Sequence, residues 1–299
     1  MKRKAPEEEV KQVESDDDDE GSIGNVQDVV DVDFDFFNPE SVDYHALKRL
    51  LNQLFSSDAE DLNVGEIVDI MLEENHVGTT VKVDGQESDP YAILTTINMQ
   101  DKKDNAGIKA LRTYLLNKCP KKEQEAVEAI LAPTSPKHVG WVVSERFINM
   151  PMEIMPPMYT MMQDELKEAA KKGEAYTFEW YMFITKTYKE VESALDEENN
   201  DEEEEEEDQQ RKKAKKNGKQ PVMSSETFYF QPEDEIIAKY AERHFDFKFT
   251  NREKESTSDA KRAFSDFGIA PSRRLLFVHH TKFDALVQDI ESQCSNNAQ

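Results

Sequence analysis

The side chains of this sequence best suited to chemistry are His279-His280, the one adjacent pair among six histidines, closing the apolar run Leu275-Leu-Phe-Val278. Imidazole both ligates transition metals and exchanges protons near neutral pH. Successive residues of a strand point to opposite faces, so a strand over 274–280 predicts that the two rings cannot serve one centre without a bulge. The pair therefore reads as structural or surface. Asp31, Asp33 and Asp35 alternate with Val30, Val32, Phe34 and Phe36, which puts the three carboxylates on one strand face about 7 Å apart. That spacing is too wide for a single oxygen cage around a cation, and the expectation is a solvated or partner-facing acidic edge. Cys119 and Cys294 lack zinc-ligand spacing, no H-E-x-x-H occurs, and none of the ten glycines forms G-x-G or a phosphate-binding loop. No catalytic, cofactor or metal residue is expected.

Charge says more. The chain of 299 residues carries a net charge of −26. Acid is concentrated in residues 14–20 and in 196–208, and the latter block is followed at once by Arg211, Lys212, Lys213, Lys215 and Lys216. Such runs repel themselves and bury nothing apolar, so they predict solvated segments. The two charged regions 1–20 and 196–219 each carry about −5, which leaves roughly −16 for the remainder. An acidic body repels a phosphate backbone, which argues against direct nucleic-acid binding and for a basic protein partner, with an attraction weakened by salt. Lys2, Arg3 and Lys4, and the cluster from Arg211 to Lys216, have the form that import receptors read. Ser15, followed by four aspartates, suits an acid-directed kinase. Two widely separated cysteines predict reduced thiols in an intracellular protein, and neither a signal peptide nor a membrane span is expected.

The elements that must position these residues follow from periodicity. A two-residue period over 30–36 predicts a strand with one buried and one acidic face. Leu47, Leu50, Leu51 and Leu54 predict a helix, as do Ile67, Ile70 and Met71 within 64–72. Residues 77–83 and 91–99 read as a hairpin around Asp-Gly and Pro. Helices are predicted over 111–116 and 126–131, a strand over 139–148, and a helix over 155–170 beginning at Pro156-Pro157. The strongest strand signal is 176–188. After the charged run come a strand at 227–230, a helix at 232–240, a strand carrying Phe245, Phe247 and Phe249, a strand at 274–280 and a helix at 283–290. This mixture predicts an α+β fold, a largely antiparallel mixed sheet flanked by helices. One domain is expected over 26–195 and 225–294, with an acidic leader at 1–25, a tolerated insertion at 196–224 and a short tail at 295–299. Met155, Met158, Tyr159 and Met162 share one helical face, which suits either core packing or a client-binding groove.

The segment Ser144-Glu-Arg-Phe-Ile-Asn-Met-Pro151, its continuation Ile154-Met-Pro-Pro-Met-Tyr159, Tyr181-Met-Phe-Ile-Thr-Lys-Thr-Tyr188 and Val32-Asp-Phe-Asp-Phe-Phe resemble the BCCIP family of nuclear proteins, most of all its fungal members, over residues 26–293. The resemblance implies a fold similar to the GCN-five-related acetyltransferases without their catalytic features. It further implies a non-enzymatic escort for a basic ribosomal protein of the large subunit, of the L-twenty-three type, and a role in nuclear export of a phosphatidylinositol phosphate kinase. Import and export receptors are then partners, and the location is the nucleus with shuttling to the cytoplasm. Animal relatives are linked to a breast-cancer susceptibility protein and a cyclin-dependent kinase inhibitor. Two other classes stay open on the residues alone: an acetyl-CoA-dependent acetyltransferase and a general histone chaperone.

Overall fold

A computed structural model describes residues 33–190, 226–250 and 268–295. Its strands are β1 (Asp35–Phe37), β2 (Gly78–Lys82), β3 (Ala92–Asn98), β4 (Val139–Arg146), β5 (Trp180–Glu190), β6 (Phe228–Tyr229), β7 (Arg243–Phe247) and β8 (Ile269–His279). They form one sheet in the order β1-β2-β3-β4-β5-β8-β7, with β6 paired to β5. Among the described strands only β4 and β5 pair in parallel. The helices are α1 (Tyr44–Phe55), α2 (Val64–Glu73), α3 (Ala106–Lys118), α4 (Lys121–Leu131), α5 (Met155–Lys171), α6 (Pro232–Tyr240) and α7 (His280–Ser295). The expected α+β class is what the chain adopts: an open mixed sheet flanked by helices.

The strands are apolar on both faces because both faces are covered. Along β8, Leu275 and Phe277 join the core under α1 to α4, while Leu276 and Val278 join the core under α5 to α7. Trp141 and Val142 of β4 divide in the same way. The leucine stripe of α1 is fully buried. Asn105 starts α3 by accepting from the N–H groups of Gly107 and Ile108 at 2.8 and 3.2 Å. Pro156 falls in the first turn of α5, where its missing N–H costs nothing. Gly173 ends that helix at φ 82°, a left-handed conformation that a Cβ would strain.

Two expectations change. Of the strand expected over 30–36, positions 30–32 lie outside the described residues and the described strand runs from Asp35 to Phe37; Phe37, on the face predicted to be acidic, is buried as deeply as Phe36. The strand expected over 139–148 ends at Arg146, since Phe147 to Met150 form a turn closed by Met150 N–H donating to the Phe147 carbonyl at 3.1 Å.

Gly140 of β4 is a close-approach position. A Cβ there would lie 2.8 Å from the Phe178 ring and 2.9 Å from the Thr96 methyl. Both are buried, so the strain has no outlet. Gly140→Ala is expected to cost about 1–3 kcal/mol, read as a lower urea midpoint with the slope unchanged.

Candidate partner-binding surface

The parallel ladder of β4 and β5 pairs Val139–Val142 with Trp180–Phe183 and stops there. β4 continues to Arg146 against β3, and β5 continues to Glu190 against β8. Charged side chains occupy the seam. Glu145 receives the Lys186 ammonium at 2.7 Å on one side of the sheet. On the other, Arg146 makes a two-pronged pair with Glu233 of α6, Nε to Oε1 at 2.8 Å and Nη2 to Oε2 at 2.9 Å. Glu145, Arg146 and Glu233 are all buried. Glu233 also sits in the first turn of α6, where the helix dipole favours an anion.

Arg146 does a second job. Its Nη1 donates to the Met150 carbonyl at 2.5 Å, pinning the turn that follows β4. Phe147 N–H donates to the Tyr91 carbonyl at 3.0 Å, and the two rings meet edge to face at 6.0 Å. Held on these sides, the turn carries Ile148, which is 78% exposed. Ile148 and Val42 are the large exposed apolar side chains among the described residues.

Asp234, beside Glu233, is fully buried, and its Oδ2 has no hydrogen-bond donor among the described residues. Burial first, then the Glu233 charge, push its carboxyl well above the usual carboxylate range. Burial likewise pushes the Cys294 thiol up to about 12. Asp234 and Cys294 are both buried.

A different surface is wet and acidic. Glu66, Asp69 and Glu73 are exposed on one stripe of α2 and, with Asn105, line a shallow depression of about 370 Å³. None of the three forms an ion pair with another described residue. In the adjoining depression of about 290 Å³ the acids have partners: Lys102 pairs with Glu74 at 2.5 Å, and His76 Nε2 lies 2.6 Å from the Glu174 carboxylate. Burial raises the Glu74 carboxyl, but hydrogen bonds from Lys102 and Tyr176 outweigh it and hold the group below its ordinary value. The described residues carry 36 Asp and Glu against 23 Lys and Arg, so the acidity extends to the folded body.

The residues singled out in the sequence fall apart in space. Met155, Met158 and Met162 are buried in the second core, together with Tyr159. They present no groove, because α5 turns that face onto the sheet; the packing alternative is the one the geometry supports. Asp33 is exposed and Asp35 half-buried at the β1 edge of the sheet. Asp31, Ser15, the cluster Lys2, Arg3, Lys4 and the cluster Arg211, Lys212, Lys213, Lys215, Lys216 lie outside the described residues. His279 and His280 do converge, contrary to expectation: β8 ends at His279 and α7 begins at His280, so the strand rule of opposite faces lapses between them, and their ring centroids are 4.5 Å apart. Ile148 and the Glu145, Arg146, Lys186, Glu233 network were not foreseen. Their one trace in the sequence is a Glu-Arg pair interrupting an otherwise apolar strand.

Residues 29–237 match the family model described as BCCIP. The chain belongs to the BCCIP family. Among its relatives, Protein bcp1 of Aspergillus fumigatus is 40% identical over 280 residues, covering 93% of this chain and 90% of that protein. Protein bcp1 of Schizosaccharomyces pombe is 37% identical, with 87% and 89% covered. A crystal structure of BCP1 from Saccharomyces cerevisiae superposes with a TM-score of 0.60 at 24% identity, covering 91% of this chain and 92% of that one; at that identity the likeness speaks for the fold. Within this family member, the segment Ser144 to Pro151 thus joins the seam closure to the exposed Ile148.

Two outcomes are expected. Arg146→Leu leaves Glu233 buried and unpaired and costs about 3–5 kcal/mol in urea unfolding, while Arg146→Leu combined with Glu233→Leu recovers most of that loss. For Asp234, the unfolded carboxyl releases its proton near 3.9 whereas the folded one holds it to higher pH, so the folded state binds more protons between the two values and stability falls as pH rises through them. Asp234→Asn removes this dependence. Its stability advantage over the parent should be absent near pH 3 and grow to about 1–3 kcal/mol by pH 7, measured by urea unfolding at both.

Proposed function

We propose that this protein is a non-enzymatic nuclear escort that holds a basic protein client on its folded body. Membership of the BCCIP family supports a protein-binding role, and the observation that carries the reading is the unpaired acidic stripe of α2 on a body whose acids outnumber its bases. The client is a basic ribosomal protein of the large subunit, of the L-twenty-three type. Free, such a protein would bind nucleic acid through surfaces built for phosphate; an acidic escort covers them until assembly. Opposite fields hasten encounter by about 10–10³-fold. Specificity comes from a shaped contact, for which the rigidly held Ile148 turn is the candidate.

In this reading the two basic clusters engage import receptors, export receptors return the protein to the cytoplasm, and a phosphatidylinositol phosphate kinase travels as export cargo. The expected likeness to the GCN-five-related acetyltransferases finds no support in the family match or in the solved BCP1 structure, and neither does an acetyltransferase activity.

Binding of the purified ribosomal protein at 0.1 and 0.3 M salt tests the division of labour. Glu66→Lys with Asp69→Lys and Glu73→Lys should weaken binding at low salt and flatten its salt dependence. Ile148→Asp should weaken it about tenfold or more at both salts, as loss of an apolar anchor does. Unchanged affinity in both variants contradicts the proposal.

A further inference from the structure

Glu179 immediately precedes β5, His279 is the last residue of β8, and His280 is the first of α7. One ligand atom from each lies within 4.8 Å of the others. We propose that these three side chains form a binding site for a divalent transition metal, with zinc as the occupant, stapling the start of β5 to the β8–α7 corner.

Three features of the site favour coordination over a chance cluster. The backbone holds the ligands together: His280 N–H donates to the Glu179 carbonyl at 3.0 Å, and Glu179 N–H donates to the His138 carbonyl at 2.9 Å. His279 Nδ1 is 2.9 Å from Thr281 Oγ1. A hydrogen bond there fixes the ring and leaves Nε2 turned toward Glu179, 3.7 Å from Oε1, the outer-shell arrangement that orients metal-bound imidazoles. The Trp180 ring meets His279 edge-on at 4.9 Å and packs against it. In tetrahedral zinc, nitrogen and oxygen ligands stand roughly 3.3 Å apart, so the observed pair needs to close by only a few tenths of an ångström. His280 is exposed and free to swing into place.

Two imidazoles and one carboxylate suit zinc and its neighbours and are a poor match for magnesium or calcium, which take all-oxygen shells. A fourth position remains for water or for a donor from a bound partner. The competitor is Lys137, whose ammonium lies 2.6 Å from Glu179 Oε1. Its side chain is 65% exposed, so metal binding displaces it into solvent at small cost.

Calorimetric titration of the full chain with ZnCl2 in excess MgCl2 tests the site, because magnesium occupies the oxygen-rich acidic runs and leaves a nitrogen site free. One saturable zinc site is expected, weakened at least tenfold by His280→Ala and by roughly tenfold or more by Thr281→Ala. Lys137→Ala should tighten it, a gain that misfolding cannot mimic. Absence of saturable zinc binding, or zinc affinity unaltered by His280→Ala and Lys137→Ala, overturns the proposal.

Discussion

The seam between β4 and β5 governs this molecule. A parallel ladder that stops after Val142 and Phe183 leaves the ends of these two central strands unpaired with each other, and β5 takes β6 as its neighbour at Thr187 and Tyr188. Apolar residues could fill such a seam; this chain fills it with Glu145, Lys186, Arg146 and Glu233. Each buried charge costs several kcal/mol in lost hydration, which only a well-made pair offsets. The return is geometric. One guanidinium ties α6 to the sheet and, through the Met150 carbonyl, fixes the turn that exposes Ile148.

The same contrast of dry and wet charge separates two kinds of acidity. Glu145, Glu233 and Asp234 are structural and unavailable to a partner. Glu66, Asp69 and Glu73 face water and carry no matching base among the described residues. A net charge alone does not tell these apart, yet only the second kind attracts a basic client over a Debye length of about 8 Å. A long-range field draws many basic proteins. In the proposed function the exposed Ile148 on its braced turn discriminates among them, because its burial depends on shape and falls off within atomic contact.

Local patterns in the sequence account for most elements. The leucine stripe of α1, the Pro-Pro start of α5 and the limits of α6 at Pro232 and Tyr240 are legible because periodicity and backbone chemistry act within one turn. The two faces of the sheet are less legible: Asp33 and Asp35 suggest a solvent side for β1, whereas Phe37 on that side is buried, with the Lys82 ammonium of β2 5.8 Å from its ring centre. Glu145 finds Lys186, and Arg146 finds Glu233, across 41 and 87 residues, so no local signal names the partner. For His279 and His280 it is the expectation of opposite faces that fails, and for a local reason. The strand rule was sound, but the strand ends between them.

In the proposed function the folded body holds the client and the charged runs assist. Hydrogen exchange on the full chain with and without a bound basic ribosomal protein of the large subunit measures this directly. The account predicts new protection in α2 and in the turn from Phe147 to Met150, on both sides of a salt increase that leaves the complex assembled. Protection confined to residues 1–32 and 191–225, with α2 and the Ile148 turn exchanging as in the free protein, would contradict it.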